Sequence, residues 1–144
     1  MSNTVAETYP KLYLYRRIVQ AKLFIDKHFA SPIDLSQIAD EAYFSKFHFI
    51  RLFKQAYGKT PHHYLTQVRL DEAKRLLAKG DSVACVSLSV GFDSSTSFTT
   101  LFKRHNGTSP SAYQTVQLQK QALYKTNPLH AVPNCFAESL GWKK

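Results

Sequence analysis

The sequence predicts an all-α fold in which one pair of helices is built twice and the two copies are joined by a long linker helix. Three observations lead there. The chain repeats itself at a spacing of 48 to 49 residues, its apolar residues recur at helical intervals, and no stretch shows the alternation of a strand.

The duplication can be followed residue by residue. Leu35, Ile38, Ala42 and Phe44 recur as Val83, Val86, Val90 and Phe92, each 48 positions on. Phe49, Leu52-Phe53-Lys54, Gly58, Pro61 and Tyr64 recur as Phe98, Leu101-Phe102-Lys103, Gly107, Pro110 and Tyr113, each 49 positions on, so the second copy carries one inserted residue. Copies that keep the same apolar positions, the same Gly and the same Pro keep the same packing and punctuation. Each therefore builds the same small unit.

Each element has its own local cause. Residues 1–10 are polar and are expected to form a flexible leader. A first subdomain over 11–61 opens with a helix from about Tyr13 to His28, with Leu14, Ile18, Ala21 and Ile25 on one side. Asp34 with Gln37 three residues on makes a capping-box-like start for a short helix to about Ala42. Only Tyr43 and Phe44 separate it from the next helix, a turn so tight that the two must cross steeply as a helix-turn-helix. Ser45 caps that second helix, Phe49, Leu52, Phe53 and Ala56 turn inward, and Gly58 stops it. Thr60-Pro61, a capping hydroxyl before a helix-starting proline, opens the linker helix over 61–80. Its apolar side is Tyr64, Leu65, Val68, Ala73, Leu76 and Leu77, and it is expected to act as a rod between the two units.

The second subdomain, 81–123, repeats the plan. Asp81 or Ser82 starts its first helix, Gly91 and Phe92 make the turn, Ser94 or Ser95 caps the next helix, Gly107 ends it, and Ser109-Pro110 opens a further one. Gln114 to Leu123 can continue as helix. The tail over 124–144 is punctuated by Pro128, Pro133 and Gly141 and reads as irregular chain, with Leu129, Phe136, Leu140 and Trp142 free to dock on the domain or on a partner.

Composition narrows the function. With 144 residues and 44% apolar content the chain can bury a core as one domain or as two small subdomains. Cys85 and Cys135 have no nearby Cys, and His62-His63 point about 100° apart on a helix without an i, i+4 partner, so neither a disulfide framework nor a metal site is expected. No cofactor and no nucleophilic catalysis are expected either. Cys85 falls within the apolar periodicity of its helix and is expected to be buried, whereas Cys135 lies in the tail and could be exposed. No basic, apolar leader and no run approaching ~20 apolar residues is present, which points to a reducing, cytoplasmic setting without a membrane partner.

The net charge of +9 favours a polyanionic partner, and its distribution says more than its size. Ala42 to Leu70 holds no acid but carries Lys46, Arg51, Lys54, Lys59 and Arg69; Ser94 to Ala137 holds none either and carries Lys103, Arg104, Lys120 and Lys125. Each block contains the second helix of one copy. In a helix-turn-helix that helix can lie in the major groove of double-stranded DNA, while the first crosses the backbone. Its outward residues in the first copy are Lys46, Phe47, Ile50, Arg51, Lys54 and Gln55. Arg51 can fork onto guanine, Phe47 and Ile50 can touch thymine methyls, and Lys46 and Lys54 can hold phosphates. The second copy presents Thr96, Ser97, Thr99, Thr100, Lys103 and Arg104, short hydroxyls with two phosphate-seeking cations, so it should read bases weakly and anchor. Other roles stay open beside these: Phe47 can pack under the turn, and Arg51 can pair with Asp40 or Glu41. Phe49, Phe53, Phe98 and Phe102 read as core rather than as a stacking platform.

From about Leu35 to Tyr113 the chain resembles the DNA-binding domain of AraC/XylS-type transcription regulators. The resemblance rests on Ser45, the Arg51-Leu52-Phe53-Lys54 run, Thr60-Pro61, Tyr64-Leu65, Arg69-Leu70, Ala73, Leu76-Leu77, Val90-Gly91-Phe92, Phe98, Phe102-Lys103 and Ser109-Pro110-Ser111-Ala112-Tyr113. It implies about seven helices in a domain able to bind as a monomer, with two recognition helices in adjacent major-groove segments ~34 Å apart. Family base contacts carried over by position fall on Phe47, Ile50 and Arg51 and on Ser95, Thr96, Ser97 and Thr100. Tyr43 departs from the small residue common in the family's first turn, and Thr100 stands where some relatives have a long basic side chain. The implied function is a sequence-specific bacterial regulator that acts on an asymmetric promoter site and contacts RNA polymerase. Three further functions stand beside it: the docking module of a larger effector-bearing regulator, an architectural DNA-binding protein, and the docking part of a DNA-repair enzyme, which would need a metal-linked cysteine cluster.

Overall fold

A computed structural model describes residues 3–36, 39, 46–126 and 140–141, with side chains from Leu12 onward. Among them every regular element is helical: α1 (Asn3–His28), α2 (Lys46–Tyr57), α3 (Pro61–Lys79), α4 (Val83–Ser89), α5 (Ser95–Asn106) and α6 (Pro110–Thr126). Leu35, Ser36 and Ala39 are helical too, and the Asp34 carboxylate accepts the Ser36 N–H at 2.9 Å, as the expected cap of a further helix should. The architecture is therefore all-α with close to the seven helices that the resemblance implies. Gln37, Ile38, Asp40, Glu41, Ala42, Tyr43, Phe44, Ser45 and Cys135, for which roles were expected, lie outside the described residues.

The chain divides into two compact units, Met1–Glu72 with Ser89–Gly91, and Ala73–Leu88 with Phe92–Lys144. Helix α3 supplies residues to both. In the first unit α1 buries Ile18, Ala21 and Ile25 against Phe49 and Phe53 of α2 and Leu65 of α3, with Ala39 completing the cluster. Each phenylalanine so buried is worth roughly 1.5–3 kcal/mol relative to an exposed one, enough to hold one face of α2 inward. Two side chains fasten this unit across long sequence distances. Arg69 donates from Nε to the Phe29 carbonyl at 2.7 Å and from Nη2 to the Ser31 carbonyl at 3.2 Å, just beyond the end of α1. Tyr64 donates its hydroxyl to Asp26 at 2.5 Å, and Asp26 also pairs with Lys22 at 2.7 Å.

The second unit repeats the internal geometry of the first. Phe98 and Phe102 stand 5.6 Å apart by ring centroid, and Phe102 meets Tyr113 edge-on at 5.5 Å. Phe49 and Phe53 stand 6.0 Å apart, and Phe53 meets Tyr64 edge-on at 5.7 Å. Punctuation repeats as well. Gly58 and Gly107 each donate their N–H four residues back, to Lys54 and Lys103, at 2.8 Å. Thr60 Oγ1 accepts the His63 N–H and Ser109 Oγ the Ala112 N–H, which caps α3 and α6 behind the buried prolines Pro61 and Pro110. Gln114 of α6 donates to the carbonyls of Leu77, in the last turn of α3, and of Asp81, just beyond it, at 3.1 and 2.6 Å, and so ties α6 to the end of α3.

Several expectations are corrected. Helix α1 starts at Asn3 rather than near Tyr13, taking in most of the stretch read as a leader. Cys85 is exposed, because α4 buries Val86 and Ser87, and Cys85 lies a further 100° round the helix from Val86. Ala56 is exposed as well: the aromatic row of α2 runs on from Phe53 to Tyr57, whose rings are 4.9 Å apart, and fills the inner side of that turn. Where two starts were open, Ser82 and Ser94 are the caps, accepting the N–H groups of Cys85 at 3.3 Å and Ser97 at 3.2 Å.

Candidate nucleic-acid interface

Burial of one face decides what the other face offers. With Phe49 and Phe53 locked into the core, α2 turns Lys46, Phe47, Arg51, Lys54 and Gln55 to solvent. These positions fall at i, i+1, i+5, i+8 and i+9, a single outer stripe. Phe47 is 79% exposed, so its ring is not buried in the domain. Ile50 differs from the expectation of a fully outward residue. It is half-buried, packs against the core cluster, and lines a cleft of about 420 Å³ with Ile33, Leu35, Phe49, Pro61 and Lys46. Only part of its side chain is therefore available to a ligand.

The matching face of α5 carries Ser95, Thr96, Ser97, Thr100, Lys103 and Arg104, all exposed, opposite the buried Phe98 and Phe102. Thr99 is half-buried. Its N-terminus is set by Ser94, whose extended backbone (φ −143°, ψ 149°) and hydroxyl complete the cap, and its end by Gly107 at φ 79°. No acidic residue lies on α2 or α5, so each presents cations without an internal counter-charge. The sequence had counted Arg69 with the cations of the first block. Its guanidinium is instead turned to the carbonyls of Phe29 and Ser31, where it stabilises the fold.

Sequence reasoning missed the Lys22, Asp26 and Tyr64 network. The Asp26 carboxylate beside it, with help from the Tyr64 hydroxyl, raises the Lys22 pKa above its ordinary value. Burial first, then the hydrogen bond to Asp26, raises that of Tyr64. The spacing of Lys22 and Asp26 was legible as a helical i, i+4 pair, but nothing local announces Tyr64 as their partner. Among the described residues no three His, Cys, Asp or Glu side chains gather as metal ligands, and no helix is long and apolar enough to cross a membrane.

Residues 38–115 match the family model for a helix-turn-helix domain, the AraC-type one, over both copies of the repeat. The chain belongs to the AraC-type helix-turn-helix family. It is similar to the probable transcriptional regulator LumQ of Photobacterium leiognathi, 36% identical over 92 residues that make up 63% of this chain and 37% of LumQ. The chain thus spans well under half the length of that relative. Among solved structures it is similar to an AraC-type transcriptional regulator from Chromobacterium violaceum (TM-score 0.64, 25% identity, 73% of this chain and 95% of that one). It is similar also to the DNA-binding domain of the global transcriptional factor AdpA, solved in complex with a target DNA (TM-score 0.65, 29% identity, 77% and 96%).

Proposed function

We propose that this AraC-type chain is a sequence-specific bacterial transcription regulator that inserts α2 and α5 into adjacent major-groove segments of an asymmetric promoter site in the cytoplasm. The observation that carries the reading is the paired construction of α2 and α5: each has two phenylalanines locked inward and an acid-free, exposed polar stripe outward. Arg51, Phe47 and the open part of Ile50 touch base edges in one segment, and Ser95, Thr96, Ser97 and Thr100 in the other. Lys46, Lys54, Lys103 and Arg104 hold phosphates, which fix register without reading sequence. The chain binds as a monomer, contacts RNA polymerase, and carries out no catalytic step of its own. The length of LumQ favours a second form of the same reading, in which this domain is the DNA-docking part of an effector-bearing regulator.

Binding to genomic and random DNA over a salt series tests it. A preferred sequence that survives added salt is expected, since phosphate contacts weaken with salt while base contacts keep their discrimination. Arg51→Ala should relax preference at one base pair, by about 1–3 kcal/mol if the fork onto guanine is lost. Lys103→Ala should weaken all sequences alike and lower the salt slope by about one. A steep salt slope with no preferred sequence would leave an architectural protein in place of a regulator.

A further inference from the structure

Helix α5 lacks a long side chain at the position where α2 carries Arg51, and its hydroxyls are partly committed within the protein. Thr100 Oγ1 donates to the carbonyl oxygen of Thr96 one turn back, at 2.9 Å. Ser94 Oγ lies 3.1 Å from Ser97 Oγ and accepts the Ser97 N–H at 3.2 Å, which ties the Ser97 hydroxyl to the cap of the helix. Back-bonding of this kind is common for threonine in helices and spends the only hydrogen that the side chain can donate. Thr100 is exposed, so the group it has left to offer outward, besides acceptor lone pairs, is its methyl.

In the major groove a methyl has one specific counterpart. Thymine alone among the bases carries an apolar group there, at C5, and threonine methyls are among the side-chain groups that meet it. We infer that Thr100 makes the DNA segment under α5 selective for thymine through methyl-to-methyl contact, and not through a hydrogen bond from its hydroxyl. The inference rests on the reading of α5 as a recognition helix. It gives the second unit a specificity of its own, where its short side chains alone suggested simple anchoring. Lys103 and Arg104, one turn further along the same exposed face, supply the phosphate contacts that hold that face against the groove.

The test uses the full chain and a duplex selected for binding from a genomic library. Each thymine under the second half of the site is replaced in turn by deoxyuridine, which removes the C5 methyl and changes no hydrogen-bonding group. At one position the wild-type protein should lose about fourfold in affinity, the worth of one methyl taken out of water. Thr100→Val, which keeps a methyl and lacks the hydroxyl, should retain that loss. Thr100→Ser, which keeps the hydroxyl and lacks the methyl, should bind thymine and uracil duplexes equally. A wild-type protein indifferent to uracil at every position, or a Thr100→Ser variant that still discriminates, overturns the inference while leaving the regulator reading intact. Absence of any preferred duplex overturns both.

Discussion

Replacing Gly91 with Ala, beside the same change at Gly107, separates two costs that the backbone places at these turns. Both residues sit in the left-handed region, at φ +93° and +79°. Forcing a Cβ there costs roughly 1–2 kcal/mol, of which about 0.4–1 kcal/mol is returned because alanine stiffens the unfolded chain. At Gly107 nothing lies within 4 Å of the added carbon, so the cost ends there, at about 1 kcal/mol net. At Gly91, which belongs to the first compact unit, the same carbon meets the carbonyl oxygens of Phe29 at 2.9 Å and Ala30 at 3.0 Å. Those oxygens are backbone. That of Phe29 is already held by Arg69, so neither can turn aside as a flexible side chain would. Overpacking of this kind adds roughly 1–3 kcal/mol, which brings Gly91→Ala to about 2–4 kcal/mol. Urea unfolding followed by helical circular dichroism reads both, as midpoint shifts at an unchanged denaturant slope. Equal midpoints, or a larger loss at Gly107, would refute the close approach to Phe29 and Ala30.

Two further outcomes follow from the first unit. Arg69→Lys keeps the charge but cannot fork onto two carbonyls, and should lower the melting temperature by roughly 2–8 °C, the equivalent of about 1–2 kcal/mol in a chain of this size; an unchanged melt would place Arg69 outside the fold's support. Tyr64 and Lys22 both have raised pKa values, so the stability they contribute is whole below about pH 10, where the unfolded groups begin to titrate, and drains away as pH rises toward the folded values. Tyr64→Phe should therefore cost about 1 kcal/mol near neutrality through the lost bond to Asp26 and flatten the alkaline decline, both visible in urea midpoints measured across pH. An alkaline decline as steep in the variant as in the parent protein would show that Tyr64 does not drive it.

Features whose causes lie within a few residues of one another are legible in the chain alone. The caps at Thr60 and Ser109 and the glycine stops at Gly58 and Gly107 are made by hydrogen bonds spanning three or four positions, so chain neighbours alone specify them, whereas the choice of Ser82 over Asp81 and of Ser94 over Ser95 was made by the structure. The repeat and the helical period likewise marked Phe49, Phe53, Phe98 and Phe102 as core, because a period describes one helix without reference to any other. How wide each buried face is, and which polar groups leave the surface, follows instead from packing between elements distant in the chain. Ile50 is half-covered while Ala56 and Cys85 are open, since coverage depends on what packs alongside and not on a residue's own hydrophobicity. Arg69 and Tyr64 find partners 38 to 40 positions away, where no local pattern connects them. On the face proposed to meet DNA the division is the same: periodicity singled out Thr100 as outward, but the bond to the Thr96 carbonyl, which turns its hydroxyl away, is a choice of side-chain rotamer that the sequence leaves open.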